Sequence, residues 1–440
     1  MANPESNPRF TVIIPTKDRA AYLYHTLRTC ALQEYDNLEI IVSDDGSTDD
    51  TRAVVEEAAR KDPRIKYSTP RIAGMLGNFE HALDQVKPGY VIALGGDDGL
   101  MPYGIQGMRD ALREMKQDAL AWPTPVYFYA KSRVETPQMV LITERGRLRK
   151  GRRIVSSQSF LERQARVLSY VWDVESPMFY VKGVVSTALV DRVRARSNGR
   201  FYSCSTPDGY SGVVLAGEME TYAFSGVPFS VHGISPSSAG FGYLANTDAS
   251  KKQSEAFFKS AAGIPMHREL GSQQYSPLIT VMTADYLLTA ADLPGWPGPK
   301  PVIDFRGLLR KSVAELQDGL FASEKVAREL GILYGIAKHH RLTGYLRDVV
   351  NKARRNARKP LERNAFSPSR VYLDADQFGI RNVFDAAYFA YNLHALSAEA
   401  TASTVWRAFK NSVGYRLMSM KEGTPFPPES EWITDRGSTG

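Results

Sequence analysis

A chain of 440 residues has room for two or three domains with a sizeable core. With 43% hydrophobic and 23% charged residues it is neither disordered nor fibrous, and its two cysteines, Cys30 and Cys204, rule out a disulfide-built scaffold. The formal net charge of +7 is unevenly placed: Lys131 to Arg153 holds eight Lys/Arg against two Glu, and Lys338 to Arg370 holds ten against Asp348 and Glu362, patches that suit an anionic partner or a solvated face.

In chain order, Arg9 to Ile14 reads as a strand closed by Pro15, then Thr16 to Arg19 as a polar turn and Ala20 to Gln33 as a helix. Leu38 to Val42 is a second strand that runs into Ser43-Asp44-Asp45-Gly46-Ser47-Thr48-Asp49. A helix from Asp50 to Arg60, a strand Ile65 to Tyr67 and a helix Gly74 to Val86 follow. Tyr90 to Leu94 is a buried strand bounded by Gly89 and Gly95, ending in Asp97-Asp98, and Pro102 suits the first turn of a helix through Met115. Strands alternating with helices imply an α/β domain with a mostly parallel, doubly wound sheet. Ligands of such sheets bind at the strands' carboxyl ends, where two strands here deliver acids. Asp44 or Asp45 can accept a base's imide N–H or a ribose hydroxyl, and Asp97 with Asp98 can share a hard divalent cation with phosphate oxygens. No G-x-G-x-x-G follows the first strand and no G-x-x-x-x-G-K-[ST] occurs, which argues against dinucleotide and P-loop sites.

Phe10-Thr11-Val12-Ile13-Ile14-Pro15-Thr16, Ile41 to Asp49, and Leu94-Gly95-Gly96-Asp97-Asp98, in that order and spacing, resemble the family 2 glycosyltransferases of the GT-A fold across residues 9–120. The resemblance implies inverting transfer from a nucleoside diphosphate sugar, with UDP the expected nucleotide; no Q-x-x-R-W occurs and no membrane helix flanks the domain, so a single addition is expected. It further implies that Thr16 and Asp45 contact the base, that Asp97 faces the ribose and that Asp98 ligates Mn²⁺ or Mg²⁺; Pro15, Asp44 and Gly46 are assigned to the same nucleotide site, and Asp18 and Arg19 are candidates to orient the base or diphosphate. Two departures stand out. Many members carry an acid at the place of Gly95, so the metal is expected to bind weakly until the donor arrives. Asp18 stands where some uridine-binding members place an aromatic.

Beyond Met115, Ala121 to Tyr129 reads as an edge strand at best because of Pro123 and Pro125. The basic stretch Lys131 to Arg153 reads as a loop over the donor phosphates or a plain hairpin. Helices are expected over Val155 to Val167 and Lys182 to Arg194, with Ser176-Pro177-Met178-Phe179-Tyr180 between them. Pro207-Asp208-Gly209-Tyr210-Ser211 resembles a P-D-x-Y-S segment of one bacterial branch of the family, which makes Asp208 the expected general base, although an N-cap is the plain reading of such a position. Asp173, Glu218 and Glu220 are reserves, and His232 is expected to be structural. Domain boundaries are set at 1–242 for the catalytic unit (9–120 donor half, 121–242 acceptor half) and 243–440 for a mostly helical region, in which Ser250 to Ala262, Tyr275 to Ala291, Leu308 to Leu330, Gly331 to Arg358 and Asn382 to Leu396 have helical spacing. Neither a secretion signal nor an eighteen-residue apolar run is visible, so the expected setting is cytoplasmic, with peripheral contact at the inner membrane face through the basic segments. A carbohydrate or lipid-linked acceptor and a homo-oligomer complete the expectations. The rival reading is a catalytically degenerate domain that binds nucleic acid or membrane as a scaffold.

Overall fold

A computed structural model of the chain describes residues 7–72, 74–130, 132, 136–144, 147–238, 263–317, 323–356 and 369–396. Its first part alternates β1 (Phe10–Thr16), β2 (Leu38–Asp44), β3 (Ile65–Ser68) and β4 (Tyr90–Ala93) with α1 (Ala20–Ala31), α2 (Thr51–Lys61) and α3 (Met75–Asp84). β1 pairs in parallel with β2 on one side and β4 on the other, matching Thr16 with Asp44 and Ile13 with Ala93, so three carboxyl ends lie along one edge. The chain builds outward through β3 and then crosses to the other side of β1, which leaves a crevice between β1 and β4. All seven residues of β1 and of β2 are buried, and each strand has a continuous apolar stretch, Val12 to Pro15 and Ile40 to Val42, rather than strict alternation.

The chain continues through β5 (Gly99–Leu100), α4 (Gly104–Met115), β6 (Ala119–Ala121), β7 (Val126–Phe128), β8 (Gln138–Glu144), β9 (Arg147–Leu148) and β10 (Arg152–Ser156). Then come α5 (Ser157–Val167), β11 (Gly183–Ser186), α6 (Thr187–Arg196), α7 (Pro207–Gly217), β12 (Thr221–Ser225) and β13 (Ser230–Ile234). The main sheet has the order β10-β12-β6-β11-β4-β1-β2-β3; a second sheet runs β14-β8-β7-β13-β5, where β14 is Arg370–Asp374.

Several expected boundaries move for identifiable reasons. The helix predicted to begin at Pro102 starts at Gly104, because Gly99 and Leu100 pair with Val231 and Ser230 first. Of Ala121 to Tyr129, expected to be an edge strand at best, Ala121 ends β6, interior between β12 and β11, and Val126–Phe128 is β7, interior between β8 and β13; Pro123 and Pro125 fall in the connection where the chain leaves one sheet for the other. The helix predicted from Lys182 starts at Thr187, since Gly183–Ser186 pairs with β4 and β6 and Ser186 then caps α6 through the Leu189 N–H. The described part of the basic stretch is the β8–β9 hairpin and β10.

Beyond residue 262, α8 (Ile279–Ala291), α9 (Phe305–Leu316), α10 (Ser323–His339) and α11 (Thr343–Asn356) form a helical layer, and α8 lies on α7. Val281, Leu309 and Leu333 share one apolar core with Phe160, Phe179 and Tyr210. β14 and α12 (Val383–Leu396) then return: β14 pairs antiparallel with β8, and α12 packs on α1, β5 and β13. A division at residue 242 is therefore not a division of the packing. The helix expected over Ser250 to Ala262 and the tail after Glu422 lie outside the described residues. Among the described residues no helix is long and apolar enough to cross a membrane.

Candidate functional site

The carboxyl ends of β4, β1 and β2 hold most of the residues singled out above. Past β4, Asp97 and Asp98 are 5% and 0% exposed, yet their surroundings differ. Asp97 Oδ2 accepts from Arg19 Nη1 at 2.9 Å, from the Ser235 hydroxyl at 2.6 Å and from the Ser238 hydroxyl at 2.7 Å. Burial alone would raise its pKa, but the Arg19 guanidinium and the two hydroxyls outweigh it and leave the carboxyl below the usual range. Asp98 Oδ2 accepts the Gly95 N–H at 2.6 Å and Oδ1 the Gly233 N–H at 2.9 Å. Burial, followed by the charge of Asp97, pushes Asp98 well above the ordinary carboxylate value. Gly233 is the residue that lets β13 back onto this turn, since a Cβ there would sit 1.6 Å from the Asp97 carbonyl oxygen.

Arg19 crosses the crevice from the turn after β1. Besides Asp97 it reaches the Ser235 hydroxyl at 2.9 Å and the Ser237 carbonyl, tying the loop after β13 to the donor half. Asp18, with φ of 49°, turns its carboxylate onto the Thr48 N–H at 2.7 Å. Asp44 is buried and spends its oxygens on Ser47 and on the Tyr67 hydroxyl at 2.8 Å, so its evident work is to hold the β2–α2 turn that carries Gly46. Asp45 is partly exposed, with Lys17 Nζ at 3.3 Å and the Gly74 N–H at 3.1 Å. Pro15 and Thr16 end β1, and the buried Thr16 hydroxyl has no hydrogen-bond partner, as expected of a polar atom awaiting a ligand.

On the far wall, Asp208 sits in the first turn of α7, behind the N-cap Thr206 and Pro207. Burial raises its pKa above the usual value, ahead of the pull exerted by the Gly209 N–H and by Lys182. Lys182 is itself buried, which lowers its ammonium to about 8 against the attraction of Asp173 and Asp208. Tyr170 and Tyr286 close around Gly209: a Cβ there would lie 2.6 Å and 2.4 Å from their rings. The reserves are engaged or remote. Asp173 is held by Arg163 and Gln164, each at 2.7 Å; Glu218 ends α7 on Arg196 at 2.6 Å; Glu220 is exposed.

The segment Ser176 to Lys182 joins the two walls. The Phe179 N–H donates to Ser211 of α7 at 2.9 Å, and the Val181 N–H to the Ala93 carbonyl of β4 at 2.7 Å. Tyr180 therefore stands beside the acids, its hydroxyl oxygen crowding the Gly95 position as Asp98 and Asp97 do, and Asp98, Asp97 and Asp208 all bear electrostatically on that hydroxyl. His232, expected to be structural, faces the same space: its ring lies 6.2 Å from that of Tyr180, and burial lowers its pKa against the opposing charge of Asp97. Tyr180, Lys182, Ser235 and Ser238 carried no motif that sequence reading could use; only the β4 pairing and the β13 return bring them here.

The donor set suits a hard divalent cation. The point where a Gly95 Cβ would sit is 3.0 Å from Asp98 Oδ2, 3.1 Å from Asp97 Oδ1 and 2.5 Å from the Tyr180 hydroxyl oxygen, a cradle of oxygens around adjacent buried acids. Among the described residues the three-ligand cluster of His and acidic groups lies elsewhere, at Glu269, His339 and His340 in the helical layer.

Residues 11–164 match the sequence profile described as Glycosyl transferase family 2. Over 109 residues the chain is 40% identical to the GalNAc(5)-diNAcBac-PP-undecaprenol beta-1,3-glucosyltransferase of Campylobacter jejuni, covering 24% of this chain and 35% of that protein. Validoxylamine A glucosyltransferase of Streptomyces hygroscopicus is 50% identical over 62 residues, 14% of each chain. The matched segments span 35%, 40% and 37% of the lengths of three curated relatives. A crystal structure of S. aureus TarS 1–349 with UDP superposes at a TM-score of 0.44 with 17% identity, over 79% of this chain and 92% of that one.

Proposed function

We propose that this chain, which carries a Glycosyl transferase family 2 domain over residues 11–164, transfers a sugar with inversion from a nucleoside diphosphate sugar, UDP in our reading, to a hydroxyl of a glycan or lipid-linked acceptor. One observation carries the proposal. The acids at the sheet's switch point and Asp208 at the start of α7 all lie within electrostatic reach of one hydroxyl, that of Tyr180, on the segment tied to β4 and to α7.

In this reading Asp45 accepts the imide N–H of the base and the Thr16 hydroxyl supplies a further partner at the strand end. Asp97, fixed through Oδ2 by Arg19, Ser235 and Ser238, turns Oδ1 toward the ribose and the cation. Asp98, with Asp97 beside it, would hold Mn²⁺ or Mg²⁺, which when bound offsets charge on the departing diphosphate as a Lewis acid. The remaining work falls to the chain. Asp208 takes the proton of the acceptor hydroxyl at its carboxylate while the sugar carbon is attacked opposite the diphosphate, and its raised pKa moves it toward the working range of a general base. The charge of the neighbouring Lys182 opposes that rise and favours the carboxylate form. Tyr170 and Tyr286 exclude water from its apolar side.

The Campylobacter relative's name specifies a lipid-diphosphate-linked acceptor, which supports the same class here, with the basic β8–β10 face toward the anionic lipid surface. The scaffold reading drew its force from the missing acid at residue 95. That position is crowded by Tyr180 rather than vacated, which favours the enzyme.

The test is Asp208→Asn, measured by calorimetry for UDP with Mn²⁺ and by a transfer assay. Turnover should fall by about 10²–10⁴-fold with UDP affinity retained. Loss of UDP binding would move Asp208 to the donor half; full turnover would remove it from the mechanism.

A further inference from the structure

We infer that the Tyr180 hydroxyl stands in for the carboxylate that residue 95 does not carry: it fixes Asp98 and supplies the third oxygen around the cation and diphosphate. The inference rests on the donor site proposed above and deepens it.

Three observations converge on it. The first is space. Any side chain at residue 95 would begin 2.5 Å from the Tyr180 hydroxyl oxygen, so glycine here is the partner of the tyrosine rather than a gap in the acid pattern. The second is fixation. Tyr180 is held on both sides, by Phe179 N–H to Ser211 and Val181 N–H to Ala93, and its ring lies between Phe79 at 6.3 Å and His232 at 6.2 Å. Val181 adopts a φ of 46°, a conformation that a β-branched residue accepts only where its surroundings impose it. Such strain next to a candidate site is what a precisely aimed side chain requires. The third is charge. Asp97 and Asp98 already repel each other in a buried pocket, and a third carboxylate would add to that cost. A neutral phenol can donate to a neighbouring carboxylate while its oxygen still offers a lone pair, so beside Asp98 it supplies a hard ligand atom without a third negative charge.

The test uses the full-length protein as wild type, Tyr180→Phe, Gly95→Ala and the double variant. Binding of Mn²⁺ with UDP present is followed by electron paramagnetic resonance, and thermal unfolding is followed without metal. Tyr180→Phe should fold like wild type yet bind Mn²⁺ about tenfold or more weakly, the scale on which groups supporting a metal's ligands act. Gly95→Ala should lower the melting temperature in the wild-type background and much less in the Tyr180→Phe background, because the atom that obstructs the new methyl has gone; that non-additivity is the signature of direct contact. Wild-type affinity in Tyr180→Phe, or equal loss from Gly95→Ala in both backgrounds, overturns the inference while the donor site stands. Wild-type protein that binds neither UDP nor Mn²⁺ overturns the donor site and this inference with it.

Discussion

At Asp208 the demands of chemistry and of the fold oppose each other. Its folded pKa is raised by burial, so its contribution to stability is complete only below the unfolded value and is lost as pH rises through the folded one. A general base must act on the deprotonated side of the same titration. Two outcomes follow for one residue. The kcat/KM profile should rise with pH through an apparent pKa above the ordinary Asp range of about 3.9 and then level; a profile flat from pH 4 upward would show that no such base is at work. Asp208→Asn, inactive in transfer, should melt at a higher temperature than wild type at pH 8, where the wild-type residue is a buried anion; an unchanged or lower melting temperature would contradict the burial argument. Asp97 runs the other way. Arg19 and two hydroxyls depress its pKa, so its stabilisation is present above the unfolded value and lost only as pH falls through the folded one. In the mechanism proposed above, carboxylates set apart by their surroundings in this manner would divide the roles of ligand, anchor and base.

Among elements, the decisive one is the turn Ser176 to Lys182, which is neither helix nor extended strand. Its attachment to α7 is the Phe179 N–H on Ser211, between residues that are both fully buried. Ser211→Ala leaves that N–H without its acceptor and should cost about 1–3 kcal/mol in chemical denaturation; a change within about 0.5 kcal/mol, the range of ordinary surface substitutions, would mean the link is not structural. This element also marks the limit of what the sequence reveals. Asp44-Asp45 and Asp97-Asp98 announce themselves because apolar β-strands end on them, and Asp208 because Pro207 and the following apolar run start a helix. Tyr180 follows Pro177, Met178 and Phe179 and precedes a strand whose Val184 and Val185 were absorbed into a predicted helix, so nothing local indicates that it faces the acids. Register with Ala93 decides that, and register is a tertiary fact. Gly95 shows the same limit from the other side. In sequence it is a missing acid, and only the position of Tyr180 turns it into a requirement.

For the whole molecule, the return of β14 and α12 matters most. Leu373, Ile380, Val383 and Ala387 complete a core with Met101, Tyr127, Met139 and Val231, and Arg28 lies over the Phe384 ring at 3.8 Å. A chain ended at Asn356 would expose the β8 edge and this apolar face together. It should lose its single cooperative melting transition and associate in size-exclusion chromatography; a monomer with the full-length melting temperature would show that 370–396 is dispensable. The spacing of Asn382 to Leu396 made the helix legible, but the five-residue strand before it, following a basic stretch, offers no alternation strong enough to mark it. Its partner, β8, is more than two hundred residues away in sequence.

That distance has a consequence for synthesis. The two acids leave the ribosome by residue 98, but the β13 glycine that seats Asp98, the serines that anchor Asp97, and the β14–α12 return that closes the second sheet arrive in stages up to residue 396. In the proposed reading, the donor site is assembled only once residue 238 has been made, and the second sheet behind it only once residue 396 has.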